Sequence, residues 1–311
     1  MKNLNPIWKS IHPALLALSA TLLAGTAHGQ LFVADAGSGT IGEYTTSGAT
    51  VNASLISGLY GPQGLALDGN GNLFVVNNSV HGIIGEYTTS GSTVNSSLIS
   101  GFITPSALAL DGSGNLFVLD GGFGTVGEYT TSGATVNGSL ISGYNGSRGL
   151  ALDGNGDLFV ASFYSGTIGE YTISGGVVVS SNPSLISGLS SPTSLTLDGN
   201  GNLFVANFSS GTIGEYTTSG TTVNASLISG LSNPLSLALD GNGDLFVGNN
   251  GNDTIGEYTT SGATVNTDLI SANAENGLAV APEPATSVLA GAGMLALLAF
   301  KKFRKTVSRE L

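Results

Sequence analysis

Short apolar runs alternate with Gly-rich turns along most of this chain, and the pattern recurs about every 42 residues. The triplet Gly-Glu-Tyr occurs six times, with spacings of 43, 42, 42, 45 and 42 residues, ending at Tyr44, Tyr87, Tyr129, Tyr171, Tyr216 and Tyr258. The triplet Leu-Phe-Val also occurs six times, beginning at Leu31, Leu73, Leu116, Leu158, Leu203 and Leu245. Such self-similarity at a fixed period predicts a repeat architecture.

One repeat, residues 64–101, predicts four strands, which we call a, b, c and d. Strand a covers residues 65–67, strand b 73–76, strand c 83–88 and strand d 93–99. The turn at 68–71 reads Asp-Gly-Asn-Gly, and Gly and Asn tolerate the positive φ that tight hairpins need. No segment shows a sustained helical period. Four short antiparallel strands per repeat are typical of one β-propeller blade.

The two ends of the repeat region complement each other. The first repeat begins at strand b, with Leu31, and the last one stops after a lone strand a at residues 277–280. A ring needs this arrangement, because the last strand can complete the first blade. An open β-solenoid, the main alternative, would instead need capped ends. We therefore predict an all-β, six-bladed propeller over residues 30–281, closed by a C-terminal strand in the first blade.

Comparison of the repeats predicts two unlike faces. The a–b and c–d turns hardly change from repeat to repeat, whereas the b–c and d–a loops differ in each one. In an up-and-down blade these pairs lie at opposite ends, so we call them the uniform face and the varied face. Loops on a rigid scaffold usually carry recognition, although neutral drift of loops would give the same pattern. Six varied-face residues are candidate ligand contacts: His81, Phe123, Arg148, Phe163, Tyr164 and Phe208.

Charge excludes one class of partner. Between Gln30 and Ala281 the only basic residue is Arg148, against 18 Asp and Glu. Proteins bind phosphate backbones through Lys and Arg side chains that displace counterions, whereas an acidic surface repels these backbones. Nucleic acid is therefore not an expected partner. The chain has no Cys, and His81 is the only histidine after residue 29. Near-identical blades do not readily place two acid–base groups in different environments, so the sequence favours binding over catalysis.

Both termini predict export. Residues 1–29 have the order of a signal peptide, with Lys2 and Lys9 before an apolar run at 14–25 and small residues before Gln30. At the other end Pro282, Glu283 and Pro284 precede an apolar run at 286–300 and the basic segment KKFRK at 301–305. An uncleaved anchor at the start and a plain membrane anchor at the end are the alternatives.

The C-terminal order, Pro-Glu-Pro, apolar run and basic cluster, resembles the PEP-CTERM sorting signal, here residues 282–311. The resemblance implies an exosortase-type sorting enzyme as partner and membrane contact through the tail before processing. It also implies a location at the cell envelope, the outer surface or the extracellular matrix of a Gram-negative bacterium.

The repeat itself, GLALDGNGNLFVAN followed by TIGEY, resembles the NHL-repeat family and the neighbouring streptogramin-lyase and gluconolactonase-like propellers over residues 31–280. That resemblance implies the propeller fold, but its members include binding scaffolds, lyases and lactonases. Our leading hypothesis is a binding or scaffold module for extracellular polysaccharide or protein. The alternative is a metal-dependent lactonase- or lyase-like enzyme that uses the central channel.

A ring of polar residues bears on that alternative. The position after Leu-Phe-Val-x is polar in every repeat and is predicted to lie near the channel mouth: Asp35, Asn77, Asp120, Ser162, Asn207 and Asn249. Gluconolactonase-like propellers hold a divalent cation in their channel, and oxygen ligands suit Ca²⁺. The candidate metal ligands are Asp35, Asn77, Asp120, Asn207 and Asn249. The competing interpretation is that these side chains bond to loop backbone.

Overall fold

The computed structural model describes residues 29–78, 81–144, 146–271 and 277–281, which form 24 strands. These strands build six four-stranded antiparallel sheets, and the sheets form a ring of six blades. In each blade the predicted strands a to d follow one another outward from the centre. The prediction of a six-bladed β-propeller is confirmed.

The strands of blades 1 to 3 have these bounds: β1 Gln30–Asp35, β2 Thr40–Thr45, β3 Thr50–Ile56, β4 Pro62–Leu67, β5 Asn72–Asn77, β6 Gly82–Thr88, β7 Thr93–Phe102, β8 Pro105–Leu110, β9 Asn115–Asp120, β10 Thr125–Thr130 and β11 Thr135–Ser142. Those of blades 4 to 6 are β12 Gly149–Leu152, β13 Asp157–Ser162, β14 Thr167–Ser174, β15 Val177–Ile186, β16 Pro192–Leu197, β17 Asn202–Asn207, β18 Thr212–Thr217, β19 Thr222–Ile228, β20 Pro234–Leu239, β21 Asp244–Asn249, β22 Thr254–Thr259 and β23 Thr264–Ser271, with β24 Gly277–Ala281 at the end.

Blade 1 is assembled from both ends of the repeat region. Its strand order is β24-β1-β2-β3, and β24 pairs antiparallel with β1. Leu31 faces Val280 across this pair and Val33 faces Leu278. The predicted closure of the ring by a C-terminal strand is thus confirmed.

The core lies between the blades rather than inside any one of them. Strand b is buried on both sides, and its alternating residues point to opposite neighbours. In blade 1, Phe32 and Ala34 pack against blade 2, whereas Leu31 and Val33 pack against blade 6. An equivalent apolar cluster joins each further pair of adjacent blades. This explains why Leu-Phe-Val is apolar throughout rather than alternating with polar residues.

The Gly-Glu-Tyr triplet has a packing role on strand c. In blade 3 the Tyr129 ring folds back over Gly127, where an added Cβ would lie 2.7 Å from Tyr129 Cε2. Glu128 faces Phe117 on one side and Asn137 on the other. Glycine thus makes room for a buried tyrosine two residues later, and the recurrence of the triplet reflects this packing.

The a–b turns are hairpin turns held by their aspartates. In blade 2, Asp68 Oδ1 accepts hydrogen bonds from the backbone N–H groups of Asn70 and Asn72, at 2.9 and 2.8 Å. The Asn72 amide donates to Asp68 Oδ2 at 2.8 Å. Burial alone would raise the pKa of Asp68, but these hydrogen bonds outweigh it and lower the pKa. These bonds hold the hairpin turn that the Asp-Gly-Asn-Gly sequence predicts.

Blades 4 and 6 lack one of these bonds, because Asp157 and Asp244 stand where blades 2, 3 and 5 have Asn. Burial and then the charge of Asp240 raise the pKa of Asp244. We expect Asp244→Asn to raise the free energy of unfolding by about 1 kcal/mol near neutral pH, because an amide can donate to Asp240. A carboxyl with a raised pKa costs stability when ionised, so the gain should shrink as the pH falls towards about 4.

Urea unfolding at the two pH values measures this effect, and the reverse change Asn202→Asp in blade 5 is the control. Asn202→Asp should lower stability near neutral pH by a similar amount. A gain from Asp244→Asn that does not depend on pH would contradict the electrostatic part of this explanation.

Candidate functional site

The varied face is built from loops that hold one another. In blade 4, the backbone N–H of Leu189 in the d–a loop donates to the carbonyl of Gly166 in the b–c loop at 3.0 Å. Gly166 has φ +65°, and a Cβ there would meet the carbonyl oxygen of Leu189. Only glycine allows this approach without strain. The side chains that the loops present are therefore set on a fixed backbone.

Four of the six predicted ligand residues meet in one place, across blades 4 and 5. The Phe163 ring lies edge-on to the Tyr164 ring, with centroids 5.3 Å apart, and 6.2 Å from the Phe208 ring. The guanidinium carbon of Arg148 lies 5.9 Å from the Phe163 centroid, within cation–π range. We call Arg148, Phe163, Tyr164 and Phe208 the Arg148 cluster. Its most exposed aromatic ring is that of Tyr164, at 79%.

The Arg148 cluster borders the central channel. The innermost strands of all six blades enclose a cavity of about 360 Å³. Most of the described lining residues are Leu and Ala, and the polar ones are Ser106, Ser194, Thr196, Ser236 and Arg148. Within the described part of the chain, Arg148 is the one charged residue in this lining. A cation thus stands beside an otherwise uncharged channel.

The two other predicted ligand residues belong to different blades. Phe123 is exposed in the b–c loop of blade 3, where it borders a separate cavity of about 90 Å³ with Phe102, Asp120 and Tyr129. His81 is exposed next to β6 in blade 2. The ring contacts of the described residues join neither of them to the Arg148 cluster. They share its face but not its site.

Several polar residues that lie beside the cluster could not be identified as site residues from the sequence. The Ser209 hydroxyl donates to that of Ser191 at 2.9 Å, and the Asn233 amide donates to the Phe208 carbonyl at 3.5 Å. Ser191 and Asn233 have positive φ values of 55° and 54°. Serine and asparagine are common in any loop, so only the folded backbone reveals that these lie beside Phe208.

The residues of the predicted polar ring lie at the C-terminal ends of the b strands. None of them lines the central cavity. Asp120 accepts hydrogen bonds from four backbone N–H groups, those of Ile103, Thr104, Gly122 and Phe123, at 2.8 to 3.4 Å. Asn77 accepts one from Tyr60 at 2.7 Å, and Asp35 one from Ser38 at 2.9 Å. These three side chains bond to loop backbone, as in the competing interpretation of the ring.

Asn207 and Asn249, the remaining candidate metal ligands, are buried at the ends of β17 and β21. The Oδ1 atom of each has no hydrogen-bond partner among the described residues. Within the same residues, no three His, Cys, Asp or Glu side chains lie close enough together to hold a metal ion. A calcium site on this ring stays a prediction.

Carboxylates are concentrated towards the uniform face. The Asp residues of the a–b turns lie there, and the Glu residues of strand c lie near that end of each blade. Burial and then a neighbouring Asp raise the pKa of Glu86, Glu128, Glu170, Glu215 and Glu257. On the varied face the described carboxylates are Asp35, Asp120 and Asp253. The two faces therefore differ in charge as well as in sequence.

The predicted sorting residues Pro282, Glu283 and Pro284 lie outside the described residues, as do positions 1–28 of the predicted signal peptide. The described residues include no apolar helix of the length that a bilayer crossing requires.

Comparison with known protein families finds no match, and neither does comparison with curated proteins. Solved structures do match. A chain of the nidogen/laminin complex crystal structure is 15% identical with a TM-score of 0.67, covering 81% of this chain and 98% of that one. A streptogramin B lyase structure is 20% identical with a TM-score of 0.56, covering 71% and 73%. Virginiamycin B lyase from Staphylococcus aureus is 19% identical with a TM-score of 0.55, covering 70% and 73%. At these identities the likeness shows a shared fold, the β-propeller.

Proposed function

We propose that this chain is an exported, cell-surface or matrix binding module that holds an extracellular polymer or protein on its varied face. The observation that carries the proposal is the Arg148 cluster. Four of the candidate ligand residues, all from variable loops, come together beside the channel. They include the only basic residue between Gln30 and Ala281.

Composition and rigidity of the site support binding. Aromatic residues and Arg are the side chains that dominate recognition surfaces. Here they are carried by loops whose backbones are fixed by hydrogen bonds between the loops and by glycine contacts. Little conformational freedom is lost when such a surface binds its ligand. Solved structures of the same fold include one from a complex of two proteins, nidogen and laminin.

The lining of the central cavity supports binding over catalysis. General acid–base chemistry needs a titratable group near the reacting bond. The described residues of the cavity offer hydroxyl groups and Arg148 instead. We accordingly propose that the channel adjoins a binding site and is not itself an active site.

Export and sorting complete the proposal. The signal-like residues 1–29 and the Pro-Glu-Pro tail at 282–311 support delivery across the inner membrane and recognition by an exosortase-type enzyme. The propeller would then act at the cell envelope or in the extracellular matrix of a Gram-negative bacterium.

The binding proposal is tested by measuring how the purified chain binds to immobilised bacterial exopolysaccharide and matrix protein. We expect Tyr164→Ala and Arg148→Ala each to weaken binding roughly tenfold, because hot-spot residues commonly contribute more than 1 kcal/mol. The matched control is Val223→Ala, which truncates an exposed side chain on the outer strand β19. Equal binding by all three variants and the wild-type chain would contradict the proposal.

A further inference from the structure

We propose that the Arg148 cluster recognises a sugar ring that carries a carboxylate, such as a uronic acid residue of an acidic polysaccharide. This inference rests on the proposed binding function and names the ligand class of the same site. Three features support it: an exposed guanidinium that pairs with no carboxylate among the described residues, an exposed aromatic face and a rim of hydroxyl and amide groups.

Arg148 carries the positive charge of the cluster. It is exposed, and among the residues that the structure describes no carboxylate pairs with it, although the repeat region has 18 acidic residues. Its contact with Phe163 holds the guanidinium in place. A planar guanidinium matches the two oxygens of a carboxylate, and it loses less side-chain entropy when it is already positioned. The ligand should therefore present a carboxylate to Arg148.

Tyr164 offers a flat apolar surface beside that charge. The phenol ring is 79% exposed and stands perpendicular to the Phe163 ring. It also lies against Gly146, where a Cβ would clash with the Tyr164 ring. The ring thus has neighbours on two sides. A pyranose has a face of C–H groups of similar area, and such a face packs well on an aromatic ring.

The rim favours a sugar over a peptide. Ser191, Ser209 and Asn233 place hydroxyl and amide groups beside Phe208. Their donors and acceptors suit the hydroxyl groups of a saccharide. Both the flat ring and the polar rim fit a glycan.

The overall negative charge does not oppose this ligand strongly. Most carboxylates belong to the a–b turns and strand c, towards the uniform face. Of the described carboxylates on the varied face, Asp120 is 2% exposed and already accepts four backbone hydrogen bonds. At physiological salt, charges farther away than about 8 Å are largely screened. A short acidic oligosaccharide can therefore approach Arg148.

The test is titration of the purified full-length chain with trisaccharides of galacturonate, glucuronate and mannuronate, each paired with its carboxyl-reduced neutral form. We expect at least one acidic trisaccharide to bind roughly tenfold more tightly than its reduced form, because the charge-assisted contact to Arg148 is lost on reduction. Arg148→Gln should remove that difference, and Arg148→Lys should restore only part of it. Tyr164→Ala should weaken binding of both forms. Tyr60→Ala, which truncates a tyrosine of similar exposure in blade 2, should weaken neither.

The outcomes separate this inference from the proposed function. Equal binding of acidic and reduced forms, lost in Tyr164→Ala, would overturn the carboxylate assignment and leave the binding function standing. No binding of any trisaccharide would overturn the glycan assignment. Insensitivity of all binding to both cluster variants would overturn the site itself. Unchanged thermal unfolding of the variants shows that none of these results reflects misfolding.

Discussion

Replacing Leu278 with aspartate should open the ring and lower the free energy of unfolding by about 4 kcal/mol. Leu278 is 7% exposed on β24, the strand that completes blade 1 from the other end of the repeat region. It packs with Leu31 and Phe246, so its environment joins blade 6 to blade 1. A carboxylate at this position would be buried without a partner. Release of β24 from blade 1 would return that carboxylate to water.

Urea unfolding followed by circular dichroism measures this loss. The control is Val51→Asp on β3, the outer strand of the same blade, where the side chain is 55% exposed. A surface substitution of that kind should change stability by no more than about 0.5 kcal/mol. Similar stabilities for Leu278→Asp and the wild-type chain would mean that β24 does not hold the ring together.

Replacing Asp120 with alanine should cost about 3 kcal/mol of stability, because four backbone N–H groups would lose their shared acceptor. Those groups belong to the loops before β8 and after β9, so the carboxylate joins the two loops of blade 3 on the varied face. The matched control is Asp35→Ala, at the equivalent position of blade 1. Among the residues that the structure describes, Asp35 accepts one such bond, from Ser38, so its loss should cost only about 1 kcal/mol.

Thermal unfolding of both variants with and without calcium distinguishes the two interpretations of the polar ring. If Asp120 holds the loops, the loss of stability is the same in calcium and in a chelator. A loss that appears only in calcium would instead identify Asp120 as a metal ligand and support the predicted calcium site.

Fold and closure could be predicted because the chain repeats itself. Each Leu-Phe-Val triplet reports the same environment, a strand buried between two blades, and six copies make the pattern unmistakable. The lone strand at residues 277–280 was predictable for a related reason, since it supplies the strand that Leu31 lacks. By contrast, the packing role of Gly-Glu-Tyr could not be predicted from the repeat, because it depends on the Tyr129 ring covering Gly127 in the folded chain.

The site could be predicted only in part. Arg148 was evident as the one basic residue in an acidic region, and Phe163, Tyr164 and Phe208 as aromatic residues in variable loops. That these four meet, while Phe123 lies in blade 3 and His81 in blade 2, depends on which blades are neighbours and on loop conformation. Strand spacing alone does not encode those contacts.

Asp120 shows a second limit of prediction from the repeat pattern. Its sequence position matches that of Asn77 and Asn207, so the pattern places it in a ring of equivalent polar groups. Within the described part of the chain these side chains have different partners: four backbone N–H groups for Asp120 and one for Asn77. Equivalent positions in a repeat share a backbone but not a hydrogen-bonding environment, because the neighbouring loops differ.

Binding of ligand on the varied face can be tested directly, because the chain has no cysteine and single cysteines can therefore be introduced and labelled. Ser209 and Ser219 are exposed near opposite ends of β18, one on the varied face and one on the uniform face. Each is changed to cysteine, labelled with an environment-sensitive fluorophore and titrated with bacterial exopolysaccharide. We expect a saturable fluorescence change at position 209 and none at 219; a change at 219 alone would contradict binding on the varied face.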